Sequence, residues 1–531
     1  MNATKEAPQQ KKTAIDRVLG GVEYVGNKLP EPFTLFLILF LFTAVVSTLM
    51  AWAGAEVQVP GDEETVAIKG FFTGEGLTWF TTTMGENYLG FPPLATVLPI
   101  MLAVGVAERS GMLSALIRKL FGSANRSVLP YAVGLIGVTA SIMADAAFVV
   151  IPPLAAMVFK AAGRHPVAGL LGGFAAVGAG YSTSLVPSSL DALFAGITNA
   201  VMETLPNLGA TEVNPISNYY FNIASSIVLG LLAGFITDRI LEPRMRKLDV
   251  PEDMVEGDDG LNANTDADGN EVTVTLTREE NRGLKASMWA FLILTAIFLV
   301  AFMIPNSPWR NEEGGFLPKS PLLSSIVFIV FAYFMVIGIV HGKASGTIKG
   351  MKDIVEMMTQ AMGDMLGFLV LAFILGQFIA LFSWTGIGTY SAVKGAAALE
   401  SLGITGFAAI LAFIVLASCL NLLVISGSAM WTLMASVFVP MFALLGFEPA
   451  FTQAAFRVGD SATQIITPLN PYIIVILTLL RRYEPKAGLG TLMSRLIVFV
   501  PFFWVAWAVL LFIWYIFDLQ LGPGASIMLG G

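Results

Sequence analysis

Charge is scarce in this sequence. Asp, Glu, Lys and Arg make up 13% of it, about half of what a soluble domain carries, so water is not its main solvent. Cysteine is scarcer still: Cys419 stands alone among 531 residues, which excludes an intramolecular disulfide framework. Two histidines, His165 and His341, are too few for a His-rich metal site. The chain also lacks a His-Glu-x-x-His pair, a Gly-x-Ser-x-Gly elbow and a phosphate-cradling P-loop. These absences argue against an intramembrane enzyme and against an ATP-driven pump. No nucleic-acid footprint is visible, and no short apolar leader with a small-residue cleavage site precedes the first long apolar run, so the first span is expected to stay as an anchor.

What is present is apolar length. The chain is 55% hydrophobic with a mean hydropathy of +0.74, and Phe33 to Gly54, Ser287 to Ile304, Leu322 to Val340, Met365 to Ser383 and Leu496 to Phe517 hold no charged side chain. A helix of about twenty residues spans a hydrocarbon core. The net charge of −8 comes largely from one polar segment, since eleven acidic residues lie between Asp249 and Glu280. That segment, 245–285, is expected to be a flexible cytoplasmic loop.

Lys and Arg collect on the cytoplasmic side of membrane proteins, which orients the spans. Lys5, Lys11, Lys12 and Arg17 put residues 1–31 inside; the 55–91 loop, with only Lys69, falls outside; Arg118, Lys119 and Arg126 return inside. Residues 128–159 leave and regain the inside within roughly 30 apolar residues, too few to cross twice, so they predict a re-entrant hairpin with its tip near Ser141-Ile-Met-Ala-Asp145. A crossing over 166–203 and a return over 217–241 complete a first membrane half, 32–244. The second half, 286–518, has three crossings, then a second hairpin at 405–447 entered from outside, a crossing over 450–480 and a last span leading to an external 519–531. The expected architecture is an all-α polytopic membrane protein with nine transmembrane helices, two re-entrant hairpins and an inverted-topology repeat.

The repeat is visible in the residues. Val177-Gly-Ala-Gly-Tyr-Ser-Thr-Ser-Leu-Val-Pro187 lies on Val458-Gly-Asp-Ser-Ala-Thr-Gln-Ile-Ile-Thr-Pro468 without a gap, at a constant offset of 281. Each stretch follows a hairpin and interrupts a crossing with Gly, Ser, Thr and Pro. Such broken helices leave backbone groups unpaired, which hydrocarbon tolerates only where they line a cavity or hold a ligand.

Ionisable residues at membrane depth are the functional candidates. Arg457 and Asp460 are three apart, so a helix places them on one face within pairing distance. As a site, Arg457 suits an anion through its bidentate guanidinium and Asp460 a cation or proton; as a pair, they hold helices together. Asp191 and Asp145 are the other isolated carboxylates. Oxygen ligands for Na⁺ are available from Asn421, Ser426, Ser428, Asp460 and Ser461 together with freed carbonyls. Trp431 shares a helical face with Ser428 and either stacks on an aromatic substrate or packs.

Together, Ser428-Ala-Met-Trp431, the block from Phe456 to Tyr472 and Pro187-Ser-Ser-Leu-Asp191 resemble the aminobenzoyl-glutamate transporter (AbgT) family over nearly the whole chain. The resemblance implies a homodimer in the bacterial inner membrane that moves aminobenzoyl-glutamate-like organic anions or exports sulfonamide antimetabolites. A Na⁺ or H⁺ gradient would drive it, with no other cofactor. It also implies that Asp191, Ser428, Trp431, Pro449, Arg457, Asp460 and Pro468 line the substrate route and that Asn421 with Asp460 lies near the cation. The alternatives are a divalent anion/Na⁺ symporter for a dicarboxylate and a channel, although a channel pore is usually ringed by several subunits.

Overall fold

With no water in a bilayer core, a spanning chain must satisfy each backbone N–H and C=O internally, and helices do so locally. The computed structural model describes residues 30–60, 65–122, 125–143, 145–252, 275–317, 320–424, 426–467 and 469–530. Most of residues 1–31, the centre of the acidic 245–285 segment, Pro468 and Gly531 lie outside the described residues. Among the described residues, nine helices are long and apolar enough to cross a membrane.

Seven of these match spans expected from charge and hydropathy: Pro32–Trp52, Tyr219–Lys247, Arg278–Met303, Ile326–Ser345, Leu366–Trp384, Pro449–Arg481 and Leu489–Ile516. Gly74–Arg109 covers most of the second span, expected over about 92–113, but begins much earlier, and within it Gly74–Leu89 and Pro92–Arg109 are separate helices. The set of nine also differs in composition from the nine crossings counted from charge. Gly427–Leu444, part of the second hairpin, qualifies by length, whereas the 166–203 crossing is divided into Pro166–Ala179 and Ser189–Met202, each too short.

The sequence reading of 55–91 as a plain loop needs correction. It holds an antiparallel pair, Glu56–Gln58 with Thr65–Ala67, and a helix, Gly74–Leu89. Thr73 starts that helix by accepting the Gly76 N–H at 3.1 Å, the usual N-cap chemistry. Thr, Asn and Glu on the helix dilute its hydropathy, which hides it from an apolar-run criterion. Met351–Asp364 and Ile387–Ser401, on either side of Leu366–Trp384, escaped for the same reason.

Exposure separates the periphery from the interior. Leu292, Ile297 and Val300 on Arg278–Met303 are exposed, a liability in water but the ordinary state of a surface facing lipid. Gly427–Leu444 is instead largely buried. The two hairpins are Leu129–Thr139 with Ala146–Ala161, and Phe407–Asn421 with Gly427–Leu444. Each presses one arm on the broken helix that follows it, through glycine. A Cβ on Gly169 would lie 2.5 Å from the Ala155 carbonyl oxygen, and one on Gly459 would lie 2.6 Å from that of Ile414. Such approach of small residues is how membrane helices gain packing without a hydrophobic drive.

Candidate functional site

The two broken helices stop for different local reasons. Pro166–Ala179 ends in a Gly-Ala-Gly run and does not resume until Ser189. Its second half is started by a capping box: Asp191 Oδ2 accepts the Ser188 N–H at 2.7 Å while Ser188 Oγ accepts the Asp191 N–H at 3.4 Å. The second helix, Pro449–Thr463, passes through one tight turn, Gln464–Ile466, and resumes at Pro471. There Asn470 Oδ1 accepts the Tyr472 N–H at 3.0 Å. The gapless alignment placed both breaks at one register; the second comes about a turn later, because no glycine follows Gly459 before the break. The two breaks face each other. Ser182 donates its N–H to Ser461 Oγ at 3.1 Å, and a Cβ on Gly178 would meet Ile465 at 2.2 Å.

Across this contact runs a buried ion pair. Arg457 Nη1 lies 2.6 Å from Asp191 Oδ1, with side chains 2% and 3% exposed. Arg457 also donates to the Ser182 carbonyl and to Gln453 Oε1 at 3.2 Å, and its guanidinium sits 5.3 Å from the centroid of the Phe194 ring. Asp191 Oδ1 takes a further bond from Asn222 Nδ2 at 3.1 Å. The expected pairing of Arg457 with Asp460 is therefore corrected. Helical side chains lean toward the N-terminus, so Arg457 reaches back over Gln453 to the other repeat and leaves Asp460 ahead of it.

Asp460 is buried, and neither of its carboxylate oxygens has a hydrogen-bond partner among the described residues. Beside it, Asn421 Nδ2 donates to the Asp460 carbonyl at 2.5 Å and to Thr463 Oγ1 at 2.9 Å, while Asn421 Oδ1 is unpartnered. Three bare acceptor oxygens on two adjacent side chains form an electronegative spot in the interior. Ser461 is committed to Ser182. Ser426 caps Gly427–Leu444 through the Ala429 N–H at 3.3 Å and shares its hydroxyl with Ser428 at 3.1 Å. Of the five residues offered as oxygen ligands for a cation, Asn421 and Asp460 meet, while the three serines are engaged elsewhere.

Both hairpin tips and both breaks converge on a cavity of about 300 Å³. Asp145 and Phe148 come from the first hairpin and Ser426 to Ser428 from the second; Tyr181, Gln464, Asn470 and Tyr472 come from the breaks. Of the substrate-route residues expected from the resemblance, Ser428 is in the wall. Trp431 lies behind it with no exposure, donating its indole N–H to the Phe194 carbonyl at 3.3 Å and to Thr198 Oγ1 at 3.2 Å, and packed on Phe456. Pro449 opens its helix at the end remote from Asp460, roughly 16 Å along the axis at 1.5 Å per residue. Gln464, Asn470 and Tyr472 were overlooked because uncharged polar residues carry little weight in a search for ionisable groups, although all three fall inside the Phe456 to Tyr472 block.

A larger cleft of about 630 Å³ lies among Arg126, Arg164, Asp238, Arg239, Glu242 and Arg246. Its charges are spent on one another: Arg164 bridges Asp238 and Glu242, and Arg246 also meets Glu242. It ties the chain before the first broken helix to the end of Tyr219–Lys247 and is structural.

Paired hairpins, paired helix breaks and a polar cavity inside an apolar helical shell define a polytopic membrane transporter. The chain belongs to the AbgT transporter family, whose model matches residues 17–529. It is 37% identical over 511 residues to the p-aminobenzoyl-glutamate transport protein of Escherichia coli K12, covering 96% of each chain. Two solved structures, each 35% identical, are similar over their whole length. The YdaH transporter of Alcanivorax borkumensis, described as having an unusual topology, matches 93% of this chain with a TM-score of 0.85. MtrF of Neisseria gonorrhoeae, described as illuminating a class of antimetabolite efflux pumps, matches 96% with a TM-score of 0.86.

Proposed function

We propose that this protein is a secondary active transporter of aminobenzoyl-glutamate-like organic anions, or an exporter of sulfonamide antimetabolites, driven by a Na⁺ or H⁺ gradient. The observation that carries the proposal is the convergence of two helix breaks and two hairpin tips on one cavity, with the bare oxygens of Asp460 and Asn421 on the adjoining helices. A buried carboxylate without a donor is costly unless a cation or proton neutralises it, so Asp460 is assigned the coupling ion and Asn421 a supporting oxygen. Arg457 and Asp191 hold the two breaks in register and Ser428 faces the substrate. The E. coli relative and MtrF supply the substrate class.

The proposed arrangement is a homodimer in the bacterial inner membrane, with the amino terminus cytoplasmic and the carboxyl terminus periplasmic. The two hairpins then enter from opposite faces, and the two halves form an inverted repeat. The alternative is a divalent anion/Na⁺ symporter for a dicarboxylate; the relatives, a p-aminobenzoyl-glutamate transport protein and an antimetabolite efflux pump, favour the first reading. Counterflow in proteoliposomes tests the reading. Vesicles loaded with unlabelled p-aminobenzoyl-glutamate should transiently concentrate the labelled compound, and equal uptake by empty and loaded vesicles would refute a carrier.

A further inference from the structure

Two polar groups in the cavity wall have no hydrogen-bond partner among the described residues. Asn470 spends its Oδ1 on capping the Pro471–Arg481 helix, which fixes Nδ2 as the end left over, and Nδ2 has no partner on a side chain only 2% exposed. Gln464 is 3% exposed and its Oε1 is likewise bare. Buried donors and acceptors are nearly always paired in proteins. One spare donor and one spare acceptor in the same cavity wall suit a ligand that presents an acceptor and a donor close together.

The rest of the wall narrows the ligand. Phe148 and Tyr472 stack at 5.0 Å with an interplanar angle of 4°, joining the first hairpin to the second broken helix and presenting a flat aromatic face to a ring. Asp145 is exposed to the cavity at the start of the same hairpin arm and bonds to the Tyr472 hydroxyl. Among the described residues of the wall it is the one that is charged, and Arg457 is occupied by Asp191. The cavity thus disfavours a ligand carboxylate and favours a hydrogen-bond donor.

We propose that the cavity recognises the primary arylamine end of its substrate, with Asp145, Gln464, Asn470 and the Phe148–Tyr472 face as its specificity residues. The ring lies on the aromatic face and the amine donates to Asp145. The carbonyl or sulfonyl oxygen across the ring accepts from Asn470 Nδ2, and the adjoining amide or sulfonamide N–H donates to Gln464 Oε1. This rests on the transport reading above and deepens it, because a para-aminoaryl group carrying an oxygen and an N–H is what aminobenzoyl-glutamate and sulfonamides share. One site then serves both, and the glutamyl carboxylates contribute little in this state.

Equilibrium binding to the purified full-length protein tests the assignment with two ligand pairs: p-aminobenzoyl-glutamate against benzoyl-glutamate, and p-aminobenzenesulfonamide against benzenesulfonamide. Losing the amine should weaken binding about tenfold in each pair, the scale of one hydrogen bond to a charged group. Asp145→Ala, which removes the acceptor that asparagine would keep, should erase that discrimination. Asn470→Ser keeps an N-cap acceptor but removes the amide donor, and should weaken all four ligands while preserving the discrimination. Equal affinities within each pair for the unaltered protein, or discrimination that survives Asp145→Ala, would overturn the assignment and leave the transport reading standing. Failure of all four ligands to bind would remove both. The comparison on the unaltered protein needs no variant to fold.

Discussion

Arg457 and Asp191 are 266 positions apart and meet at 2.6 Å across the interface of the two broken helices. The pair ties the helix stop of one repeat to that of the other, and each partner has further bonds that the exchange of charges cannot reproduce. Asp191 caps its own helix through Ser188, and Arg457 holds the Ser182 carbonyl.

Removing one partner of a buried pair leaves the other charge uncompensated, at about 3–5 kcal/mol. Arg457→Ala and Asp191→Ala are each expected to lower the thermal stability of the detergent-purified protein together with transport. The swapped double variant, Asp191→Arg with Arg457→Asp, should recover neither, because Arg at 191 cannot accept the Ser188 N–H. A thermal shift assay checks this, and wild-type stability in either single variant would contradict it.

Asp460 should behave in the opposite way. Its carboxylate has no donor to lose, so Asp460→Asn should leave stability unchanged within about 1 kcal/mol, the scale of an ordinary hydrogen bond. Gradient-driven transport should be abolished while substrate binding persists. Measuring binding, melting and uptake on one preparation separates these, and a stability loss as large as that of Arg457→Ala would make Asp460 structural.

Trp431 has no exposed surface, which shifts the expectation from substrate stacking to packing. Trp431→Ala should cost about 3–5 kcal/mol, as large aromatic truncations in cores do. Trp431→Phe, which keeps a ring against Phe456 but loses the indole bonds to Phe194 and Thr198, should cost about 1 kcal/mol. Melting curves decide. If Trp431→Ala melted like the parent but lost substrate affinity, the ring would belong to the substrate route.

Orientation is testable by labelling. With Cys419 replaced by alanine, cysteines placed at Lys247 and Gln520 should differ: an impermeant maleimide applied to intact spheroplasts is expected to modify the second and spare the first. The reverse result would invert the assignment of the two hairpins.

Much of this protein was legible in its sequence because bilayer thickness and helical rise fix the length of an apolar run. The gapless match of Val177–Pro187 on Val458–Pro468 likewise exposed the helix breaks. Tertiary partners were not legible. Spacing paired Arg457 with Asp460, but the direction in which helical side chains lean and the position of the other repeat decided for Asp191. Ser426, Ser428 and Ser461 carry equal donor capacity in sequence, yet only Ser428 and Ser426 reach the cavity wall, since Ser461 is taken by Ser182. Gln464 and Asn470 gave no signal as neutral amides and stand out only once their missing partners are seen.

The most direct test of cation-driven carriage is concentrative uptake. Proteoliposomes holding the purified protein, without ATP, should accumulate labelled p-aminobenzoyl-glutamate above the external concentration when an inward or an outward gradient of Na⁺ or H⁺ is imposed. Accumulation should disappear with Asp460→Asn. Uptake that only equilibrates under every gradient, or accumulation that persists in Asp460→Asn, would contradict coupling at this residue.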